Sequence, residues 1–583
     1  MAADTPVTTA WSRVACWAWV GVLTFAISGP VLLHRGFVLI GDMVFVPQQP
    51  WKAAWYGGDG GIPRAVPSDA VVSLLTQVIP GDLLQAAVLV SIPLIAGGGI
   101  VALTREWPAI ATMSATTLYV WNPYVDERFG IGHWALLCGY AALPWVLLAA
   151  RSAALGEGVG RRMGWWGLVP ALALAAGSSP SGGLMALALA TITIGWLGGW
   201  WRGLLALGLG VMVNLPWLVP ALIAVPGSPT DPFGVAAFAA RPDTPWGLFG
   251  SLVSMGGIWK TSVVSPVRGD PVLSLLAVLL SAAGLLGAMV ASRSRPRGVL
   301  APLGALALAA LGGTWLLSVP MGSGIADWIV TQLPGGGVIR DTQKWLAPWC
   351  LLVALGVGEG VRRALPTLRR RRLVWTTVAG VVLPILLLPT LGWGRAGDWQ
   401  PTPYPAEWRV VDARLQADGT QGRVVSLPFT VYRRYAWNEQ RAVLDPAPRF
   451  FAGQVITDDE LGVGAGRAVG GESSVAARVR AVRDDPEALA EVLRAEHVRW
   501  VLEQKGTPGV GALPADVGRV VHDGVELRLV DLGPSSAAEA SAWARPLLIL
   551  DALLAAVVGG CALGVVGWSL RRRSPALRRG PDH

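Results

Sequence analysis

"VACWAWVGVLTFAISGPVLLH", residues 14–34, contains no acid, lysine or arginine. As a helix rising 1.5 Å per residue it would be about 30 Å long, the thickness of a bilayer's hydrocarbon core. One such run could be a secretory leader. This one lacks a small-residue cleavage site, and similar runs recur at 84–104, 108–121, 133–150, 165–178, 183–200, 203–224, 271–291, 298–318, 345–361, 373–393 and 546–569. With 53% hydrophobic and 15% charged residues among 583, the chain reads as a polytopic α-helical membrane protein with about twelve transmembrane helices.

Arginine orients them. Arg105, Arg151, Arg161, Arg162, Arg202, Arg293, Arg295, Arg297, Arg362, Arg363, Arg369–Arg372 and Arg571–Arg573 all follow even-numbered runs. Basic residues in short loops stay cytoplasmic, so both termini are expected inside and the loop after the first run outside. The net charge of +9 belongs largely to these clusters and does not indicate a nucleic-acid groove. Cys16, Cys138, Cys350 and Cys561 all fall inside runs, which leaves no disulfide framework. The only lysines, Lys52, Lys260, Lys344 and Lys505, all fall in expected outer segments, and arginine supplies the other cations, as in a GC-rich genome.

Three regions follow: a membrane part over 1–394, an extracytoplasmic α/β domain over 395–545, and a last span with a basic tail over 546–583. Within the α/β domain, "AEWRVVDARLQ" has helical periodicity and "GRVVSLPF" reads as a buried strand. "SSVAARVRAVRDDPEALAEVLRAEHVRWVLEQ" gives two helices and a strand, and "RVVHDGVELRLVDL" a hairpin turned at Asp523-Gly524. No phosphate loop, zinc-protease or serine-hydrolase motif occurs; "GIWKTS" lacks the glycine before Lys260.

What remains is a set of polar residues at expected membrane level, a costly placement unless they face a cavity. Asp42 follows the first run in "LIGDMVFVPQQPWKAAWYGGDGG", together with Trp51, Lys52 and Trp55. "WNPYVDERFGIGHW" carries Asp126, Glu127, Arg128 and His133, and "VIRDTQKW" carries Arg340 and Lys344 four apart, as on one helix face. Plainer readings exist: Asp42 could cap a helix, the Asp-Glu-Arg turn could pair internally, and the two cations could snorkel to headgroups. Loop tryptophans are the ones placed to serve as sugar platforms. Asp59 and Asp69, farther along the first loop, are expected to be inert.

A first-loop acid, a second acidic loop and a late external α/β domain resemble the GT-C superfamily of membrane glycosyltransferases. The strings "GDMVFVPQQPW", "NPYVDERFGIGHWALLCGYAALPW" and "IRDTQKW" are similar to those of actinobacterial cell-wall enzymes of the α-(1→3)-arabinofuranosyltransferase type. The resemblance implies a polyprenyl-phosphate sugar donor, a glycan or glycolipid acceptor and the plasma membrane of an actinobacterium. It places the base on Asp42 and the second-loop acid on Asp126 or Glu127, which would orient the acceptor or help bind a divalent cation. Arg340 and Lys344, with Arg128, would hold the departing phosphate; Trp51, Lys52, Trp55 and His133 would face sugar or acceptor. The second loop has Asp-Glu-Arg where some members have Asp-x-Asp. A lipid-linked glycan flippase, which would favour polar groups at the midplane of broken helices such as "VNLPWLVP", and a non-catalytic envelope-assembly protein are the alternatives.

Overall fold

The computed structural model describes residues 10–573 except 60, 62, 225–230, 334, 368–374, 376, 418–421, 465–466, 510–512, 515–516 and 536–540. Arg369–Arg372 therefore lie outside the described residues. Among those described, nine helices are long and apolar enough to cross a membrane, beginning with Trp11–Leu33 and ending with Ala544–Trp568. A tenth span is possible if Val378–Leu386 and Pro389–Gly397, bent by 69° at their junction, are taken together.

Twelve spans were expected, and two runs account for the difference. Ala109–Val120 has only 12 residues, about 18 Å of helix. Gly158–Ser178 opens on Arg161 and Arg162, which shortens its apolar stretch. The run expected at 373–393 is the broken pair. Trp393, Gly394, Arg395 and Ala396 near its end all adopt left-handed φ, between 52° and 61°. Such a conformation costs about 1–2 kcal/mol per non-glycine residue. Packing holds it: the Trp393 ring sits where a Cβ on Gly29 would be, and Arg395 reaches a buried acid.

Among the described residues of 406–531, the helices, strands and hairpin read from the sequence form, with helix Ala406–Ala417 and a five-stranded sheet whose edge strand Val455–Ile456 was not expected. The strand order is Val455–Ile456, Arg423–Leu427, Val498–Gln504, Leu527–Asp531 and Arg519–Asp523. The first two pairings are parallel and the last two antiparallel, the final one being the expected hairpin. Alternation along the strands divides the core. Val425, Leu427 and Val501 face helices Ser474–Ala481 and Pro486–Ala495, whereas Val424, Trp500 and Leu502 join the cluster that continues into the membrane helices. Tyr404, Trp408, Trp437, Phe450 and Phe451 fill that junction with ring contacts.

Backbone pairing locks the sheet region onto the first loop. Phe37 and Thr402 exchange N–H···O bonds of 2.9 and 3.0 Å. Gly41 donates to Ala442 O and accepts from Leu444 N, both at 2.8 Å. Arg449 pairs with the buried Asp69 at 3.0 Å.

Candidate active site

Asp42 is positioned by close approach of two loops. Its N–H donates to Ile131 O at 2.9 Å. Gly41 has φ +55°, and a Cβ there would lie 2.3 Å from Ile131 O; Gly132 has φ +82°, and its Cβ would lie 2.4 Å from Met43 N. Both positions therefore require glycine. The second loop is ordered by a short helix, Pro123–Gly130, capped by the Asn122 side chain accepting from Val125 N and started by Pro123. Its last turn passes His133 to the start of helix Trp134–Leu155.

His133 and Asp42 meet there, with Nε2 3.2 Å from Oδ2. Arg128 Nη1 lies 3.1 Å from His133 Nδ1. A guanidinium can only donate, so Nδ1 accepts, the ring proton resides on Nε2, and Nε2–H donates to Asp42. Arg128 itself is fully buried, bidentate to Asp341 and bonded to Gln343. Burial would raise the Asp341 carboxyl, but the Arg128 charge and hydrogen bonds hold it down to about 2. The second Asp42 oxygen accepts from the hydroxyl of Tyr432, on strand Tyr432–Arg434. Lys260 completes the surround, its ammonium 5.9 Å from the Tyr432 ring centre.

The Asp42 recess is deep enough for burial to push its carboxyl upward, yet His133, Tyr432 and Lys260 outweigh that and hold it below the ordinary value. Of its side-chain surface, 41% remains open. This is an ionised, oriented and accessible carboxylate.

Asp126 and Glu127 are placed differently, being 1% and 0% exposed. Asp126 accepts from Arg395 Nε at 2.8 Å, and its other oxygen has no hydrogen-bond partner. Glu127 accepts from Gln343 at 3.1 Å; its second oxygen lies 3.9 Å from Arg268, which is bidentate to Asp243 at 2.6 and 2.8 Å. Burial, then the charge of Asp243, pushes the Glu127 carboxyl well above its ordinary value.

Arg340 and Lys344 do not share one α-helical face. Arg340 ends the 3-10 turn Gly336–Ile339, Lys344 belongs to the 3-10 turn Thr342–Leu346, and Asp341 breaks the helix between them. Arg340 pairs with Glu472 at 2.9 Å and lines a cavity of about 710 Å³ with Arg64, Trp217 and Phe238. Lys344 Nζ lies 5.8 Å from the Trp345 ring centre. In the first loop, Lys52 donates to Pro448 O at 2.7 Å, Trp55 is buried and donates to Pro50 O, and Trp51 is exposed and stacked on Tyr56. Burial pulls the Lys52 ammonium down to about 7. Lys52 lies at the junction with the sheet region, and of the expected acceptor group His133 is the one that touches Asp42.

Among the described residues, no three His, Cys, Asp or Glu side chains converge to hold a metal. Asp42 is surrounded by a donor imidazole, a phenol and an ammonium, which does not fit a divalent cation. Sequence reasoning missed Tyr432, Lys260 and the counter-ions Arg268, Asp243 and Arg395. Lys260 alone carried a signal, as one of four lysines in outer segments.

No family model matches the chain, and no curated protein matches it in sequence. Among solved structures, a cryo-EM structure of arabinofuranosyltransferase AftD from Mycobacteria superposes with a TM-score of 0.55 at 15% identity, over 91% of this chain and 40% of that one. A mutant of the same protein gives 0.53 at 15% identity, over 92% and 42%. The chain thus spans less than half the length of these structures. The chain shares the fold of these arabinofuranosyltransferase structures.

Proposed function

We propose that this protein moves a sugar from a polyprenyl-phosphate donor to a hydroxyl of a cell-envelope glycan or glycolipid at the outer face of the plasma membrane. The observation that carries this reading is the half-open Asp42 carboxylate, oriented by His133 and Tyr432. The arginine alternation supports the outward placement of Asp42, of the sheet region and of the recess between them.

Asp42 acts as the general base. The acceptor oxygen bonds to the anomeric carbon, the bond from that carbon to the phosphate oxygen breaks with its electron pair on the phosphate, and the hydroxyl proton passes to Asp42. The leaving group is already good, so no acid partner of the glycosidase kind is needed. A carboxylate held below its ordinary range is a weak base, and it takes the proton as bond formation makes the hydroxyl acidic. Lys344 and Arg340 receive the phosphate, aided by Lys260. Arg128, sealed by Asp341 and Gln343, fixes the His133 tautomer. Asp126 and Glu127 hold the second loop in shape through Arg395, Arg268 and Gln343.

Purified protein supplied with polyprenyl-phosphate arabinofuranose, the donor class suggested by the structural neighbour, and then with hexosyl donors tests the reading. Acceptor-dependent sugar transfer that Asp42→Asn abolishes is the expected result. Transbilayer movement of the lipid-linked sugar with no transfer would overturn it in favour of a flippase.

A further inference from the structure

A second cavity, of about 510 Å³, lies at the other end of the bundle. Helices Gly81–Leu103, Trp134–Leu155 and Pro271–Ser294 start beside the first loop, His133 and the Arg268–Asp243 pair. Their last turns, or the residues just beyond, line this cavity. Twenty-two residues of helix put it about 33 Å from Asp42. Its volume lies within the about 300–1,000 Å³ of ordinary ligand pockets.

Arg151, Arg295 and Arg297 converge on it from two separate connections of the chain. None of their guanidinium groups has a hydrogen-bond or ion-pair partner among the described residues. The one acid in the lining, Glu359, is already taken by Arg362 at 2.6 Å and Arg363 at 2.8 Å. Beside the cations the lining includes the apolar side chains of Leu103, Trp107 and Leu300. Three cations without a partner among the described residues, next to a greasy wall at the level where spanning helices end, match one ligand chemistry: a phosphate group carried on hydrocarbon.

We propose that this cavity binds an anionic bilayer phospholipid. Its headgroup phosphate sits among Arg151, Arg295 and Arg297, and its acyl chains run down past Leu103, Trp107 and Leu300. A free inorganic anion would gain nothing from the wall, and a zwitterionic lipid would bring a cation into an arginine cluster. This site is independent of the chemistry at Asp42.

The test uses the full chain in phosphatidylcholine nanodiscs doped with phosphatidylglycerol, with retained lipid counted by native mass spectrometry. The wild type should retain phosphatidylglycerol selectively. The R151Q/R295Q/R297Q variant, eluting as a folded monodisperse species, should bind it about tenfold more weakly or worse, while R151K/R295K/R297K keeps most of the binding. R161Q/R162Q, which removes cations outside the cavity, should change nothing. Equal retention by the glutamine variant would overturn the proposal. So would an equal loss in R161Q/R162Q, which would reduce the effect to general surface charge, or displacement of the lipid by millimolar inorganic phosphate.

Discussion

Asp42 and the Asp126–Glu127 pair look alike in the sequence: acids in consecutive loops at the same expected end of the bundle. In the structure they are opposites. Asp42 keeps 41% of its side-chain surface open and is held by hydrogen-bond donors. Asp126 and Glu127 are sealed against Arg395, Arg268 and Gln343. A buried acid with a counter-ion contributes to shape, because removing either partner leaves a desolvated charge. An open acid whose partners leave it ionised is available for chemistry. The difference lies in the cations: Arg268 and Arg395 are spent on their carboxylates, whereas Lys260 stands near Asp42 without closing on it.

The largest expected effect is at Asp42. Asp42→Asn preserves size and cannot take a proton, so turnover should fall by roughly 10² to 10⁴ with the melting temperature unchanged. Near-wild-type turnover would make Asp42 a structural residue like Asp126. Arg268→Met should show the reverse pattern, costing about 3–5 kcal/mol of stability by stranding Asp243; thermal unfolding in detergent measures it. Arg340→Ala should weaken donor use by about 10- to 100-fold, the size of a lost charge-assisted contact, while a fully active variant would demote Arg340 to a tether for Glu472.

Tyr432→Phe is the finer probe. Removing one donor should cost about 0.5–1.5 kcal/mol in transition-state stabilisation and raise the Asp42 carboxyl toward its ordinary value. Activity is lost as pH falls through the Asp42 value, so the acid limb of the pH profile should move to higher pH in the variant. An unmoved limb would mean that the phenol does not govern the ionisation. Smallest of all, Asp59→Asn should leave turnover unchanged. Asp69 cannot serve as a second control as expected from the sequence, because it is buried against Arg449.

The spans were legible because hydrophobic length is a local property of the chain, and the count differs where length is marginal, at Ala109–Val120, or charge intrudes, at Arg161 and Arg162. The strands and the hairpin were legible from period-two alternation and the Asp523-Gly524 turn. The environments of the acids were not. Asp126 is sealed by Arg395, 269 residues away, and Asp42 meets Tyr432 across 390; no spacing rule spans such distances. The same loop string could equally have placed Glu127 in the open and Asp42 in a salt bridge, since loop residue types do not reveal which cation the fold delivers.

Gly41 sets a clock as well as a place. Its backbone is gripped by Ile131 on one side and by strand residues 442 and 444 on the other, and the carboxylate of its neighbour waits for Tyr432. At a synthesis rate of roughly 5–20 residues per second, the 390 residues separating Asp42 from Tyr432 take about 20 to 80 s to follow. For most of that interval His133, made 91 residues after Asp42, is the partner on hand and the phenol is still to come. A nascent chain or a proteolytic fragment ending before the sheet region would carry Asp42, His133 and Lys344 but neither the Tyr432 hydroxyl nor the strand that grips Gly41, so a later-made part of the molecule completes an earlier one.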